Sequence, residues 1–201
     1  MRVREAINSV CVVAFEMAQQ LEAAGEEVVL LTLIDSFAPS GQSNAKVNDV
    51  GLLLGFAQDL GLRPEHVDDA LMSQFVNLSI DDQLSFILQQ ATKQHLVPPG
   101  VELADIYRYF NVYRTNTRAL ATYVPRAQNV RVALIKANEQ TSTASDAMGW
   151  TELVAEDVEV HVVPGNHYTL LREPNVRMLA EELKACIARA DADTAAGVQS
   201  V

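Results

Sequence analysis

Asp35 and His167 are the two residues whose types and settings could carry chemistry. Asp35 follows directly on the uncharged run 28–34, and His167 closes the turn Pro164-Gly165-Asn166-His167 that ends the run 158–163. In an open α/β sheet, functional groups collect at the carboxyl ends of strands. A carboxylate that orients an imidazole and a His that moves a proton are two thirds of a nucleophilic triad, in the chain order nucleophile, Asp, His. Each residue also has a plain reading. An Asp that ends a strand caps a turn as readily as it serves catalysis, and a His after Gly-Asn is an ordinary exposed turn residue. The other histidines read as structural. His161 shares a strand side with Glu159, and His66 and His95 lie in helical stretches without the spacing of metal ligands. No Gly-rich phosphate loop, Walker-type lysine or Cys/His cluster is present, so no bound cofactor or metal is expected.

The elements that must position this pair follow from the apolar pattern. Runs 28–34, 130–137 and 158–163 are rich in β-branched residues and read as buried strands of a parallel sheet. Residues 10–24 predict a helix stopped by Gly25, and 176–189 predict another, with Met178, Leu179, Leu183, Cys186 and Ile187 at helical spacing. Strands separated by helices in this way define an α/β class. Roughly 90 residues of helical pattern separate the first two strands, too many for a simple crossover. Helices are expected over 49–60, 64–74, 79–94 and 102–123, broken by Pro98-Pro99-Gly100. The insertion, about residues 40–125, has the character of a helical lid. Residues 190–201 are small and polar and read as a flexible tail, which leaves 1–189 for the domain.

Composition narrows the partners. The 201 residues hold 15 Lys+Arg against 26 Asp+Glu, a formal charge of −11 that repels phosphate backbones and anionic lipid, so no nucleic acid or membrane partner is expected. Cys11 and Cys186 are too distant in sequence to suggest a disulfide framework. No run of about 18 apolar residues and no signal-peptide core occurs, which points to a cytoplasmic protein.

Several segments together resemble a known family. Residues 13–21, Val-Ala-Phe-Glu-Met-Ala-Gln-Gln-Leu, followed by Gly25 and Leu33-Ile34-Asp35-Ser36, resemble the type I thioesterase domains of nonribosomal peptide and polyketide synthases. So do Gly149-Trp150, residues 158–168 and Leu171-Arg172-Glu173-Pro174, and, in the insertion, Gln83-Leu84, residues 96–99 and the stretch from Phe110 through Asn116 to Tyr123. The resemblance covers about residues 12–187. It implies an α/β-hydrolase fold with a helical lid, of which this chain holds the C-terminal half of the sheet. It implies action on an acyl chain carried as a thioester on the phosphopantetheine arm of an acyl or peptidyl carrier protein. Asp35 then takes the place of the triad acid and His167 that of the triad base.

The family's nucleophile stands in a G-x-S-x-G-G segment just before the Val-Ala-Phe-Glu-Met helix. Counted back from Val13, that window falls on Ala6-Ile7-Asn8-Ser9-Val10, so the nucleophile position is Asn8 and Ser9 is off by one. The strained elbow depends on small residues, and the backbone N–H after the nucleophile supplies half of the oxyanion hole. An amide side chain cannot be acylated as a serine is. Three readings follow: a thioesterase domain that is N-terminally truncated or degenerate, and inactive as this chain; a non-catalytic module that binds a carrier protein; and a small hydrolase working through Ser9 or Cys11. The strand at 28–34 would expose an apolar edge, which makes self-association through that edge an expectation.

Overall fold

The computed structural model describes residues 4–39, 48–63, 69–139, 147–155, 157–167 and 169–198. The chain divides into two compact units, one of residues 43–122 with the first six residues, the other of 7–42 with 123–201. The fold class is α/β, with a three-stranded parallel sheet in the second unit and, among the described residues, helices in the first.

The second unit begins in helix α1 (Arg4–Ala23). It starts earlier than position 10 because Glu5-Ala6-Ile7-Asn8-Ser9 holds no glycine or proline to interrupt it. It stops where expected. Gly25 adopts φ +86°, and Glu26 N donates to Leu21 O at 3.0 Å, the closure in which a left-handed glycine satisfies the last helical carbonyls. Strand β1 (Leu31–Ile34) pairs in parallel with β2 (Val132–Ala137), and β2 with β3 (Glu159–Val163), giving the order β1-β2-β3 with Ile34, Ile135 and His161 in register. β1 is shorter than the run 28–34. The chain before β2 makes a bridge from Gln128 to Val154 instead, so residues 28–30 gain no ladder partner from it. Helix α6 (Asn175–Val198) packs on β2 and β3, with Leu179 and Leu183 against Ile135, Ala137 and Val163.

The expected tail is a correction. α6 continues through 190–198, because Ala190, Ala192, Ala195 and Ala196 favour helix and Ala190 is buried. Arg131 also reaches across to Asp193, and Thr194 Oγ1 donates to Ala190 O at 2.9 Å.

Among its described residues the first unit holds α2 (Asp49–Asp59), α3 (Asp69–Val76), α4 (Ile80–Lys93) and α5 (Leu103–Thr122). Positions 64–68, where a helix was expected to begin and where His66 lies, are outside the described residues. Side-chain caps fix two starts. Asn48 Oδ1 accepts from Gly51 N at 2.7 Å, and Ser79 Oγ accepts from Asp82 N at 3.2 Å. The apolar stripes of these helices close on a core of their own that includes Leu53, Phe56, Leu84, Ile87, Ile106 and Phe110. A buried amide ties two of them, with Gln83 Nε2 donating to Phe75 O at 2.8 Å.

Candidate functional site

The structure joins Asp35 to His167. Asp35 ends β1 in the left-handed region at φ +45°, which a short polar side chain tolerates better than a branched one. Its own N–H donates to Ile135 O at 2.8 Å, continuing the ladder, while the turned backbone swings the carboxylate over the end of β2. There Oδ1 accepts from Ala137 N at 2.8 Å, and Oδ2 lies 2.6 Å from His167 Nδ1. Asp35 and His167 are 1% and 8% exposed, so the pair interacts in a medium far less polarisable than water. An ionised carboxylate only accepts, so the shared proton resides on Nδ1, and Nε2 is the ring atom that can exchange a proton.

His167 is held by the turn after β3. Gly165 takes φ +98°, and a Cβ there would lie 2.4 Å from Asn175 Nδ2 and 2.6 Å from Thr169 Oγ1, so no other residue fits. Gly165 N donates to Asn138 Oδ1 at 3.1 Å and Glu139 N to Gly165 O at 3.0 Å, which bind the turn to the chain leaving β2. Asn166 N donates to Thr169 Oγ1 at 2.8 Å, and Leu170 N to Asn166 O at 2.9 Å. Behind Asp35, the buried Trp150 donates its indole N–H to Ser36 O at 2.7 Å and packs on Phe15 of α1 with ring centroids 5.1 Å apart. Asn138, Thr169 and Trp150 are positioning residues that residue types alone did not mark. Trp150 was marked only within the resembling Gly149-Trp150, and the local signal was Thr169, three residues after Asn166, a spacing at which a hydroxyl can close a turn.

The nucleophile window is helical. Asn8 and Ser9 both lie within α1, where one residue is about 100° of rotation. Ser9 is half-buried, and of Asn8 only the backbone is described. Cys11 is buried, with its Sγ 3.8 Å from Ile34 O. Burial pushes its thiol above the ordinary value, and the neighbouring Asp35 charge acts in the same direction. A protonated thiol in an apolar site is a packing group rather than a nucleophile. His161 sits between Glu159 and Glu182, 3.0 and 3.1 Å from their carboxylates, on the sheet face beneath α6, and His95 is exposed after α4. Among the described residues, no three His, Cys, Asp or Glu side chains converge as a metal would require, and no helix is long and apolar enough to cross a membrane.

A parallel sheet with an acid and a histidine meeting across its strand ends is the arrangement of an α/β-hydrolase. A sequence model of the family described as "Thioesterase domain" matches residues 11–187, and the chain belongs to that family. The match begins just after the window 6–10. Chondramide synthase of Chondromyces crocatus is 25% identical over an alignment 187 positions long that covers 86% of this chain and 5% of that protein. An inactive atromentin synthetase of Paxillus involutus is 27% identical over 80% of this chain and 17% of its own length. The chain thus spans only a small part of the curated relatives it matches. Among solved structures, the four-domain nonribosomal peptide synthetase AB3403, bound to AMP and glycine, superposes with a TM-score of 0.74 at 27% identity, over 87% of this chain and 13% of that one. The NocB thioesterase domain, in covalent complex with a fluorophosphonate nocardicin G analogue, superposes at 0.57 with 24% identity, over 90% of this chain and 61% of that one, and supports the fold.

Proposed function

We propose that this chain carries the acid–base half of a release thioesterase, whose substrate is an acyl, peptidyl or polyketide chain held as a thioester on the phosphopantetheine arm of a carrier protein. The supporting observation is the buried Asp35–His167 contact of 2.6 Å at the strand ends, inside the residues that match the family. In a reaction of this class a hydroxyl attacks the thioester carbonyl, and the C–S bond breaks to leave an acyl ester and a free thiol. Water or an internal nucleophile then takes the acyl group, giving hydrolysis or cyclisation. His167 Nε2 takes the hydroxyl proton and returns it to the departing sulfur. Asp35 holds the ring with Nδ1–H toward Oδ2 and balances the imidazolium charge.

The chain alone is inactive in this reading. Asn8 stands at the nucleophile position, and residues 6–10 lie in a continuous helix without a glycine. Treatment with a fluorophosphonate probe followed by intact mass is expected to give no adduct. An adduct on Ser9 that disappears in His167→Ala would overturn the inactivity. Nitrogen-15 NMR of His167 tests the base itself: an unprotonated Nε2 beside a protonated Nδ1 is expected, and the reverse tautomer removes the role assigned to it.

The helical window, together with a first unit that closes its own core, also favours a second reading: a non-catalytic module that binds the carrier protein. Co-elution with a candidate carrier protein at tens of micromolar supports that reading, and separate elution counts against it.

A further inference from the structure

A second cluster of titratable side chains lies where β3 meets α6. β3 contributes Glu159 and His161, which share one face of the sheet by alternation. α6 contributes Glu182, Cys186, Arg189 and Asp193, at steps of four, three and four residues along one side of the helix. Arg131 arrives from the chain entering β2, with Nη2 3.6 Å from Glu159 Oε2 and Nη1 paired with Asp193.

His161 is half-buried at the centre. Its Nδ1 lies 3.1 Å from Glu182 Oε2. Its Nε2 lies 3.0 Å from Glu159 Oε1 and 3.2 Å from Arg189 Nη2. Arg189 Nη2 is itself 2.8 Å from Glu159 Oε1 and donates to Cys186 Sγ at 3.4 Å. Burial pushes the Cys186 thiol above its ordinary value, so it meets the guanidinium as a neutral acceptor.

These contacts place opposite demands on one nitrogen. An ionised carboxylate only accepts, so Glu159 is satisfied by an N–H on Nε2. A guanidinium only donates, so Arg189 is satisfied by a lone pair on Nε2. No single protonation state of the ring meets both. Nδ1 faces the Glu182 carboxylate and carries a proton in either state. The neutral ring is then the Nδ1–H tautomer, with Nε2 accepting from Arg189.

We propose that this cluster is a proton-driven clasp between β3 and α6, in which protonation of His161 exchanges Arg189 for Glu159 as the partner of Nε2. The proton comes from solvent to the Nε2 lone pair. The displaced Arg189 N–H turns to Glu159 Oε1 and Cys186 Sγ, which are already within its reach. A single proton thus selects between two hydrogen-bonded forms of the same contact. The clasp lies on the strand that runs into the turn holding His167, but it is independent of the catalytic reading.

Nitrogen-15 NMR of the histidine rings and arginine guanidiniums in the intact chain, followed from about pH 9 to about pH 5, tests this. The neutral His161 ring is expected to show a protonated Nδ1 and an unprotonated Nε2. As Nε2 takes its proton, the Arg189 resonances are expected to move along the same curve, while those of Arg177, paired with Glu173, do not follow it. Arg189→Met removes the donor and leaves Glu159 to draw an N–H to Nε2. The share of the Nε2–H tautomer in the neutral ring is expected to rise roughly tenfold, the scale of one hydrogen bond to a charged group. If that variant does not fold, the wild-type titration alone decides. An Nε2–H tautomer in the neutral wild-type ring, Arg189 resonances that ignore the titration of the ring, or a tautomer ratio unmoved in a folded Arg189→Met would each overturn the proposal.

Discussion

At the residue scale, Asp35 has two jobs that a single substitution separates. Its Oδ1 holds Ala137 N–H and its Oδ2 holds the imidazole. Asn at this position tolerates the same left-handed backbone and can still accept from Ala137 with its oxygen, but it then presents an N–H₂ to His167 Nδ1. Two donors cannot face each other, so the ring must move its proton to Nε2. Asp35→Asn is therefore expected to switch the His167 tautomer in nitrogen-15 spectra and to lower stability by about 1–3 kcal/mol in urea unfolding. An unchanged tautomer would mean that Asp35 does not set the ring's proton. Asp35→Ala leaves a buried N–H and a buried ring without their acceptor, and the loss should reach about 3–5 kcal/mol.

At the scale of the element, the turn after β3 is the part with least tolerance. Gly165→Ala meets both a positive φ and two polar atoms well inside contact distance. The turn must open to relieve them, and Asn166 and Thr169 then lose their mutual bonds. A loss of about 2–3 kcal/mol is expected in thermal or urea unfolding, of the kind seen for strain at a special backbone position. Gly100→Ala, at φ +83° but with nothing within 4 Å of the new Cβ, is the control and is expected to cost less. The same turn shows what local pattern reveals. Pro164-Gly165-Asn166 announces a turn, and β-branched runs announce strands, because both signals depend on neighbouring residues. The lengths of β1 and α1 are less visible. β1 begins only at Leu31 because the chain before β2 bridges to Val154 instead, and α1 begins early because nothing in residues 5–9 stops it.

At the scale of the whole molecule, the two units have separate cores and can be probed apart. The single tryptophan, Trp150, is buried in the unit that holds the candidate site, so its fluorescence and near-ultraviolet circular dichroism report that unit alone. Leu84 is fully buried in the helical unit, and Leu84→Ala is expected to cost that unit about 3 kcal/mol. Far-ultraviolet circular dichroism should show an earlier helical transition while the Trp150 signal keeps its midpoint. Coincident shifts of both signals would show that the units unfold as one.

By itself the sequence determined the α/β class, the identity of the helical insertion, and the positions of Asp35 and His167 at strand ends, because alternation, helical spacing and turn residues are local and chemistry-bearing side chains stand out against them. Counting back from the resembling segment puts the expected nucleophile position on Asn8, an expectation that depends only on sequence spacing. Only the tertiary structure decided that Asp35 Oδ2 and His167 Nδ1 meet at 2.6 Å across the end of β2. The strand order and register bring together residues 132 positions apart, and no local pattern encodes that separation. It also decided the fate of residues 190–198, whose small side chains look loose in isolation and become helix once Ala190 is buried and Arg131 reaches Asp193. The exposure of Val10, Val13, Met17 and Leu21 along α1 is the same kind of fact, because apolar type and helical spacing do not say which face is covered.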